Sequence, residues 1–474
     1  MSVEGPTTRF LLLVIAASCR APSYSICADL DLVLPAGGVH TVFTGRPEAD
    51  AMVERVAAAV DPDRLREDFG GTGAFGATVR DPPERWGRTV RCGTEANRRA
   101  REHLRDRLEA AGCEVRVDAI GNVSGRWTPA SADPGAAPVA AGSHLDSVPD
   151  GGIFDGPLGV YAALEAVRAM QDAGAEPERP VEVVSFTEEE GARFADCLLG
   201  SSVAAGARSV EGALSLSDGE GTPLRAALEA IGFRGEGRLD AAGWDGWLEL
   251  HVEQHTQLET AEVPAGVVTD VTGITHCKAT VEGEANHAGT TPMAGRTDAL
   301  AAASDLVLAV EAAAADRATV DPAAVGTVGG LEVAPNATNV VPGRVDLGID
   351  VRSVEPDSIE RVVTATRAAL EEAADERGVE TAFARPFDLE PTPMADRCRT
   401  ALRRAGDRAG VPTSSLHSGA AHDSMHAADV TDAGMLFAPS RDGVSHNPRE
   451  WTDWTDCAAA TRVFAGAVAD LAGA

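Results

Sequence analysis

The sequence predicts an α/β protein with a mixed sheet and an inserted ferredoxin-like β-α-β-β-α-β domain. Three observations carry that prediction. Continuous apolar strand-like runs alternate with helical stretches over roughly residues 94–191, as expected of strands buried on both faces and joined by crossovers. The stretch 268–388 instead alternates residue by residue in its strands and repeats strand, helix, strand, strand, helix, strand, a compact unit of its own. And 474 residues is long for a single hydrophobic core, so one domain carrying an insertion suits the length.

Taken in order, "EADAMVERVAAAVD" begins the orderly helical patterning. "TEANRRAREHLRDRLEAA" spaces its leucines and alanines as a helix does and stops at Gly112, a residue suited to a left-handed helix terminus. "EVRVDAIGNVSGRW" alternates as a strand, and "APVAAGSHLDSV" follows as a continuous apolar one. "PLGVYAALEAVRAMQDAG" opens on proline and closes on glycine, the order that starts and stops a helix. "RPVEVVSFTEEEG" is a further β-rich run. Within the insertion, "TGITHCKATVEGEA", "VGTVGGLEV", "GRVDLGIDVRS" and "VETAFARPFDLE" read as strands; "DALAAASDLVLAVEAAAA" and "SIERVVTATRAALEEAADE" read as helices. Afterwards "MADRCRTALRRAGDRAG" and "AGMLFAPSRDGVSHNP" return to helix, loop and strand that rejoin the first sheet. The boundaries are therefore an extension over 1–50, a first segment of the main domain over 51–267, the insertion over 268–388 and a second segment over 389–474.

Acids outnumber bases 73 to 41, for a formal charge of −32, and Lys278 is the single lysine. Such a surface repels phosphate, which argues against nucleic acid and anionic membranes as partners. It suits a protein kept soluble in concentrated salt, where screening relieves self-repulsion, so a halophilic source is expected. The eight cysteines are scattered without a Cys-x-x-Cys pair, which favours a reducing cytoplasm over a disulfide framework or a zinc-thiolate site. "TRFLLLVIAASCRA" resembles a weak secretory or lipoprotein signal, or else an upstream extension. No later stretch has the length of apolar sequence that a membrane span requires.

Four polar clusters follow apolar strands. "GSHLDSVPDGGIFDGPLGV" ends a strand in His144 and Asp146 and places Asp155 on the next loop. In an extended strand His144 and Asp146 point to one side, so the aspartate can accept the second ring N–H of a ligating histidine. "FTEEEGARF" puts three acids together at 188–190; they repel one another unless a cation or solvent relieves them, and strand alternation would split Glu189 from Glu188 and Glu190. "LELHVEQHTQLE" offers His251, Glu253, Gln254 and His255, and "SRDGVSHNPREW" offers His446. Each alone reads as a satisfied histidine or a solvated loop. Together they form the inventory that metal-assisted carbonyl hydrolysis needs: imidazoles and carboxylates as ligands, and a spare carboxylate as general base.

With "EANHAGTTPM", "NVVPGRVDLGIDVRS" and "SGAAHDSM" added, the ordered motifs from about Asp61 to Trp451 resemble the hydantoinase/carbamoylase amidases. These comprise N-carbamoyl-L-amino acid hydrolases, β-ureidopropionases and allantoate amidohydrolases, within the di-zinc aminoacylase and carboxypeptidase superfamily. The resemblance implies that His144 and His251 bind one metal and Glu190 and His446 another, with Asp155 bridging both. It implies zinc, with manganese, cobalt or nickel as alternatives that the ligand types equally suit. By the same resemblance, Glu189 is the general base and Asp146 orients His144, while the inserted domain serves as lid and homodimer contact and sends His287 into the partner's site to bind the oxyanion. Asn339 and Arg352 would hold the substrate carboxylate, and Gln254 and His422 the carbamoyl group. The chain departs from the common pattern at His255 and Thr256, after the "EQ", and at Glu188. The implied activity is hydrolysis of the ureido C–N bond of an N-carbamoyl-L-amino acid. Allantoate and N-carbamoyl-β-alanine are the alternatives, then a peptidase or aminoacylase of the superfamily, and last a dimeric binding protein without catalysis.

Overall fold

The computed structural model describes residues 47–81, 85–194 and 197–474. The expectations for the N-terminal extension, up to residue 46, lie outside the described residues.

Four parallel strands form the middle of a nine-stranded sheet, in the spatial order Val181–Phe186, Val139–His144, Gly246–Val252 and Ala433–Ala438. Val123–Trp127 and Glu114–Val117 extend one side as antiparallel strands. On the other side Ala265–Val271 runs antiparallel to Ala433–Ala438 and carries Thr413–Ser418 and Thr392–Pro393. The sheet is therefore mixed, as expected.

The apolar runs are continuous because both faces are covered. Val139, Ala141, Leu248, Leu250, Leu436 and Ala438 belong to the core on one face. Their neighbours Ala140, Trp247, Met435 and Phe437 belong to the core on the other. Helix Pro157–Ala173 lies against the first face, opening on Pro157 and closing at Gly174 in the left-handed conformation. It packs so closely that a Cβ on Gly159 would meet the Leu250 carbonyl and Ser143. The closing helix Trp454–Ala472, which the sequence reading leaves unassigned, fills the same core.

One expected strand is two. "EVRVDAIGNVSGRW" folds back on itself, because the Asp118 carboxylate accepts the N–H groups of Ile120 and Asn122 and Gly121 takes positive φ. That is an Asx-type turn, which competes with extended pairing.

From Val271 the chain leaves the main sheet through Thr272 and enters Gly273–Glu282, the first strand of a separate four-stranded antiparallel sheet. The strands Val325–Ala334, Arg344–Ser353, Gly273–Glu282 and Glu380–Leu389 lie in that order. Helices Ala299–Ala318 and Pro356–Arg377 contribute Leu306, Val310, Val362 and Leu370 to one core with Ala279, Val281, Leu347 and Ile349. The opposite face of the sheet is polar, carrying His276, Lys278, Asp350 and Arg352. Among the described residues no helix is long and apolar enough to cross a membrane.

Candidate metal centre and active site

Parallel strands deliver their C-terminal ends to one edge, and an open α/β sheet binds ligands there. Gly142 pairs with Glu249, so two residues later His144 and His251 stand level on adjacent strands, with ring centroids 5.9 Å apart. Asp155 enters from the loop before helix Pro157–Ala173; its Oδ1 lies 3.4 Å from His144 Nε2 and 3.3 Å from His251 Nε2. The next residue must be glycine, because a Cβ on Gly156, at φ 83°, would run into the His144 ring.

His446 Nε2 lies 3.5 Å from Asp155 Oδ2 and 3.3 Å from Glu190 Oε2. Two groups that could hold a metal ion thus form around one shared carboxylate: His144, Asp155 and His251, and Asp155, Glu190 and His446. The structure brings together all five residues that the sequence motifs nominate as ligands.

The imidazole tautomers suit this arrangement. His144 Nδ1 is 3.2 Å from the Asp146 carbonyl and His251 Nδ1 is 3.0 Å from the Val252 carbonyl. A carbonyl only accepts, so each Nδ1 carries the proton and each Nε2 turns a lone pair toward Asp155. His144 Nε2 is buried without a hydrogen-bond partner. An orphaned lone pair beside converging carboxylates is a donor set that fits a divalent cation.

Electrostatics say the same. Burial pushes the Glu190 carboxyl up to about 8, with Asp155 adding to the shift. Burial also raises Glu189 far above the ordinary carboxylate range; His144 opposes the shift, and Asp423, Glu190 and Asp155 add to it. Burial opposes charge on His144, yet Glu189, Asp155 and Asp146 hold its pKa well above the usual imidazole value. Without a cation such a cluster retains protons, and a cation replaces them.

Glu189 and Glu190 both reach the cluster, contrary to strict alternation. The strand ends at Phe186, and Glu188 adopts φ 56°, which breaks the alternation. Glu188 turns away, its Oε1 accepting the N–H groups of Arg193 and Phe194 at 2.5 and 2.6 Å. Glu189 Oε2 stands 3.6 Å from His144 Nε2. Gln254 and His446 also take positive φ, at 60° and 53°; non-glycine residues held this way concentrate at functional sites.

One expected contact differs. The Asp146 carboxylate is 3.9 Å from His144 Nδ1, which bonds the Asp146 carbonyl instead; the carboxylate accepts the N–H groups of Glu189 and Glu190 at 3.4 and 3.2 Å. Asp146 therefore sets the turn that aims the two glutamates. Gln254 Nε2 donates to Asp155 Oδ2 at 2.8 Å, so in this arrangement its amide serves a carboxylate of the cluster. His422 is buried, with its ring centroid 4.6 Å from that of His251, and its Nε2 faces Ser418 Oγ at 2.9 Å. Burial, and then His251, drive its pKa well below the ordinary value.

The inserted sheet contributes unevenly. Arg352 lines the same 180 Å³ cavity as Glu189, Glu190 and His446. Asp350 holds its guanidinium from behind in a paired contact at 2.9 and 3.2 Å, and its Nη1 donates to the Gly419 carbonyl at 3.0 Å. A second cavity of 560 Å³, walled by His255, His417 and Thr272, shares Gln254, Arg352 and Ala420 with the first. His287 is exposed and is not among the residues lining the metal-site cavity; its Nδ1 accepts the N–H groups of Gly289 and Thr290. It pairs with Val340 beside Asn339, whose carbonyl accepts the Ala288 N–H at 2.9 Å. His287 and Asn339 thus lie side by side, and neither lines the metal-site cavity of their own chain.

Three residues that the motifs did not single out belong to the site's support: Arg88, Ser445 and Glu450. Ser445 Oγ lies 2.8 Å from Asp155 Oδ2 and 3.0 Å from Glu450 Oε2. Glu450 was legible only as one acid in the "SHNPREW" loop, and Arg88 carries no distinguishing pattern in an arginine-rich stretch.

The model for peptidase family M20/M25/M40 matches residues 140–470. The chain is 40% identical over 383 residues to an N-carbamoyl-L-amino acid amidohydrolase of Geobacillus stearothermophilus, covering 80% of this chain and 92% of the relative. It is 33% identical over 380 residues to a ureidoglycolate hydrolase of Oryza sativa subsp. japonica, covering 78% of each. Its structure is similar to that of a hydantoinase/carbamoylase family amidase from Burkholderia multivorans, with a TM-score of 0.81 at 36% identity over 88% of this chain and 98% of that one.

Proposed function

Because the chain belongs to peptidase family M20/M25/M40 and, within it, to the hydantoinase/carbamoylase amidases, we propose that it hydrolyses the ureido C–N bond of an N-carbamoyl-L-amino acid, releasing the amino acid, ammonia and carbon dioxide. The observation that carries this reading is that two groups able to hold a metal ion share Asp155 at a cavity that Glu189 and Arg352 also line.

Two divalent cations, zinc first among the candidates, held by His144, Asp155 and His251 and by Asp155, Glu190 and His446, would polarise the ureido carbonyl and acidify water. The protein's own groups do the rest. Glu189 accepts a proton from the attacking water and returns it to the leaving nitrogen as the first C–N bond breaks; the carbamic acid so formed then breaks its remaining C–N bond, which separates carbon dioxide from the second nitrogen. Arg352 offers its outer N–H pair to the substrate carboxylate, and Asp350 fixes the plane of the fork. His422, kept neutral by burial, and Gln254, once released from Asp155, provide polar contacts to the carbamoyl group. A second copy of the chain supplies His287 and Asn339, whose exposure and joint placement suit a residue pair that completes a partner's site. The inserted sheet then acts as both lid and dimer contact. A reducing, salt-rich cytoplasm is the proposed setting, supported by the charge of −32 and by eight cysteines scattered without a Cys-x-x-Cys pair.

The test is ammonia release in high-salt buffer from N-carbamoyl-L-amino acids, N-carbamoyl-β-alanine, allantoate and dipeptides, with zinc, manganese or cobalt supplied in turn. Turnover of an N-carbamoyl-L-amino acid is the expected result. Preference for allantoate or N-carbamoyl-β-alanine would redirect the substrate within the same chemistry, and cleavage of the dipeptides alone would overturn the proposal.

A further inference from the structure

The proposed ligands sit on strand ends and loops far apart in sequence, and a further segment, 86–90, lies between the loops that carry Asp155 and His446. Trp86 N–H donates to the Pro448 carbonyl at 2.8 Å, joining the segment to the loop that carries His446. Arg88 N–H donates to the Gly151 carbonyl at 2.9 Å, Asp150 N–H to Thr89 Oγ1 at 2.9 Å, and Val90 N–H to Ser147 Oγ at 2.9 Å, joining it to the loop that carries Asp155.

From the middle of this segment the Arg88 side chain turns inward and is fully buried. Its Nε donates to the Gly152 carbonyl at 3.1 Å, and its Nη2 faces the carbonyls of Asp146 and Asp155 at 3.4 and 3.5 Å. Glu450 holds the other polarity of the same backbone: its Oε1 accepts the N–H groups of Phe154 and Asp155 at 2.9 and 3.0 Å. The fit is close enough that a Cβ on Gly152 would run into the Glu450 carboxyl. The peptide groups on both sides of Asp155 are therefore held at once, the amide by a carboxylate and the carbonyl by a guanidinium. Burying a guanidinium is costly, and a fork of fixed donors serves three converging carbonyls in a way that a lysine cannot.

We propose that Arg88, with Glu450, is a positioning residue that aims the shared Asp155 carboxylate before any metal binds. This rests on the metal roles assigned above and leaves the identity of the organic substrate open. Outer partners of metal ligands typically govern affinity by about 10- to 100-fold.

The experiment titrates the apo form of the full chain with Co²⁺, followed by absorbance and by metal content, for wild type, Arg88→Ala, Arg88→Lys and Glu450→Gln, with thermal melts as the control for folding. The expected result is at least tenfold weaker binding in folded Arg88→Ala and Arg88→Lys, recovery of Arg88→Ala on adding guanidinium ion, and kcat falling while KM holds. Wild-type affinity in folded Arg88→Lys overturns the proposal, as does a guanidinium ion that restores melting temperature without restoring metal binding. A wild-type chain that binds cobalt yet hydrolyses no ureido compound refutes the substrate reading alone.

Discussion

The Asp155 loop and the His287 hairpin are built in opposite ways. Asp155 is buried and its peptide groups are held by Glu450 and Arg88, with its carboxylate shared among His144, His251 and His446. His287 sits exposed on a two-residue strand paired only with Val340–Val341. The difference separates two tasks. Groups proposed to meet a small cation at fixed distances sit at the ends of packed strands and on the loops beside them, where neighbours remove rotamer freedom in advance. Groups proposed to close over a substrate sit on a second sheet with its own core.

The comparison can be broken at its rigid half first. Glu189→Gln keeps the shape and removes the proton acceptor, so kcat is expected to fall by about 10³-fold or more, with metal content and melting temperature unchanged. Retained activity would move the general base elsewhere. On the exposed half, His287→Ala is expected to cost about 10²-fold in kcat, as loss of an oxyanion donor does. Mixing His287→Ala with Glu189→Gln chains then tests the partner's role: shared sites recover activity in mixed dimers, whereas sites complete within one chain recover none.

Arg352→Lys keeps the charge and loses the paired fork held by Asp350. A loss of about 2 kcal/mol, roughly 30-fold in kcat/KM and mainly in KM, is expected. The smallest effect on chemistry should come from Leu347→Ala in the core of the inserted sheet. Cavity formation there should lower stability by about 2–4 kcal/mol while cobalt binding is unchanged. A parallel loss of metal would show that the two halves are one cooperative structure.

Much of the rigid half was legible in the sequence, for a physical reason. A strand covered on both faces is apolar throughout, so His144, His251 and the 188–190 acids stand out at its end. The alternating strands of the inserted sheet were legible because one face is packed and the other polar. Backbone conformation was not. The break at Glu188 and the positive φ of Gln254 decide which side chains face the site, and no pattern of residue types encodes them. Arg88 was equally silent, since its burial depends on loops 146–155 and 445–450 folding around it. The inserted strands read correctly, yet the partner proposed to receive His287 is a second chain, which a single sequence does not describe.

One junction has reach beyond catalysis. The chain passes from the main sheet into the inserted one and back at a single place, where Val271 pairs with Thr392 and Gly273 lies so close to Pro391 that a side chain there would collide with it. An insert whose two ends meet can be exchanged as a cassette: swapping 273–389 for the matching stretch of a relative asks the main sheet only to close one short gap. Recombination thus has a route to trade the half proposed to select the substrate while the half proposed to cleave it is inherited intact.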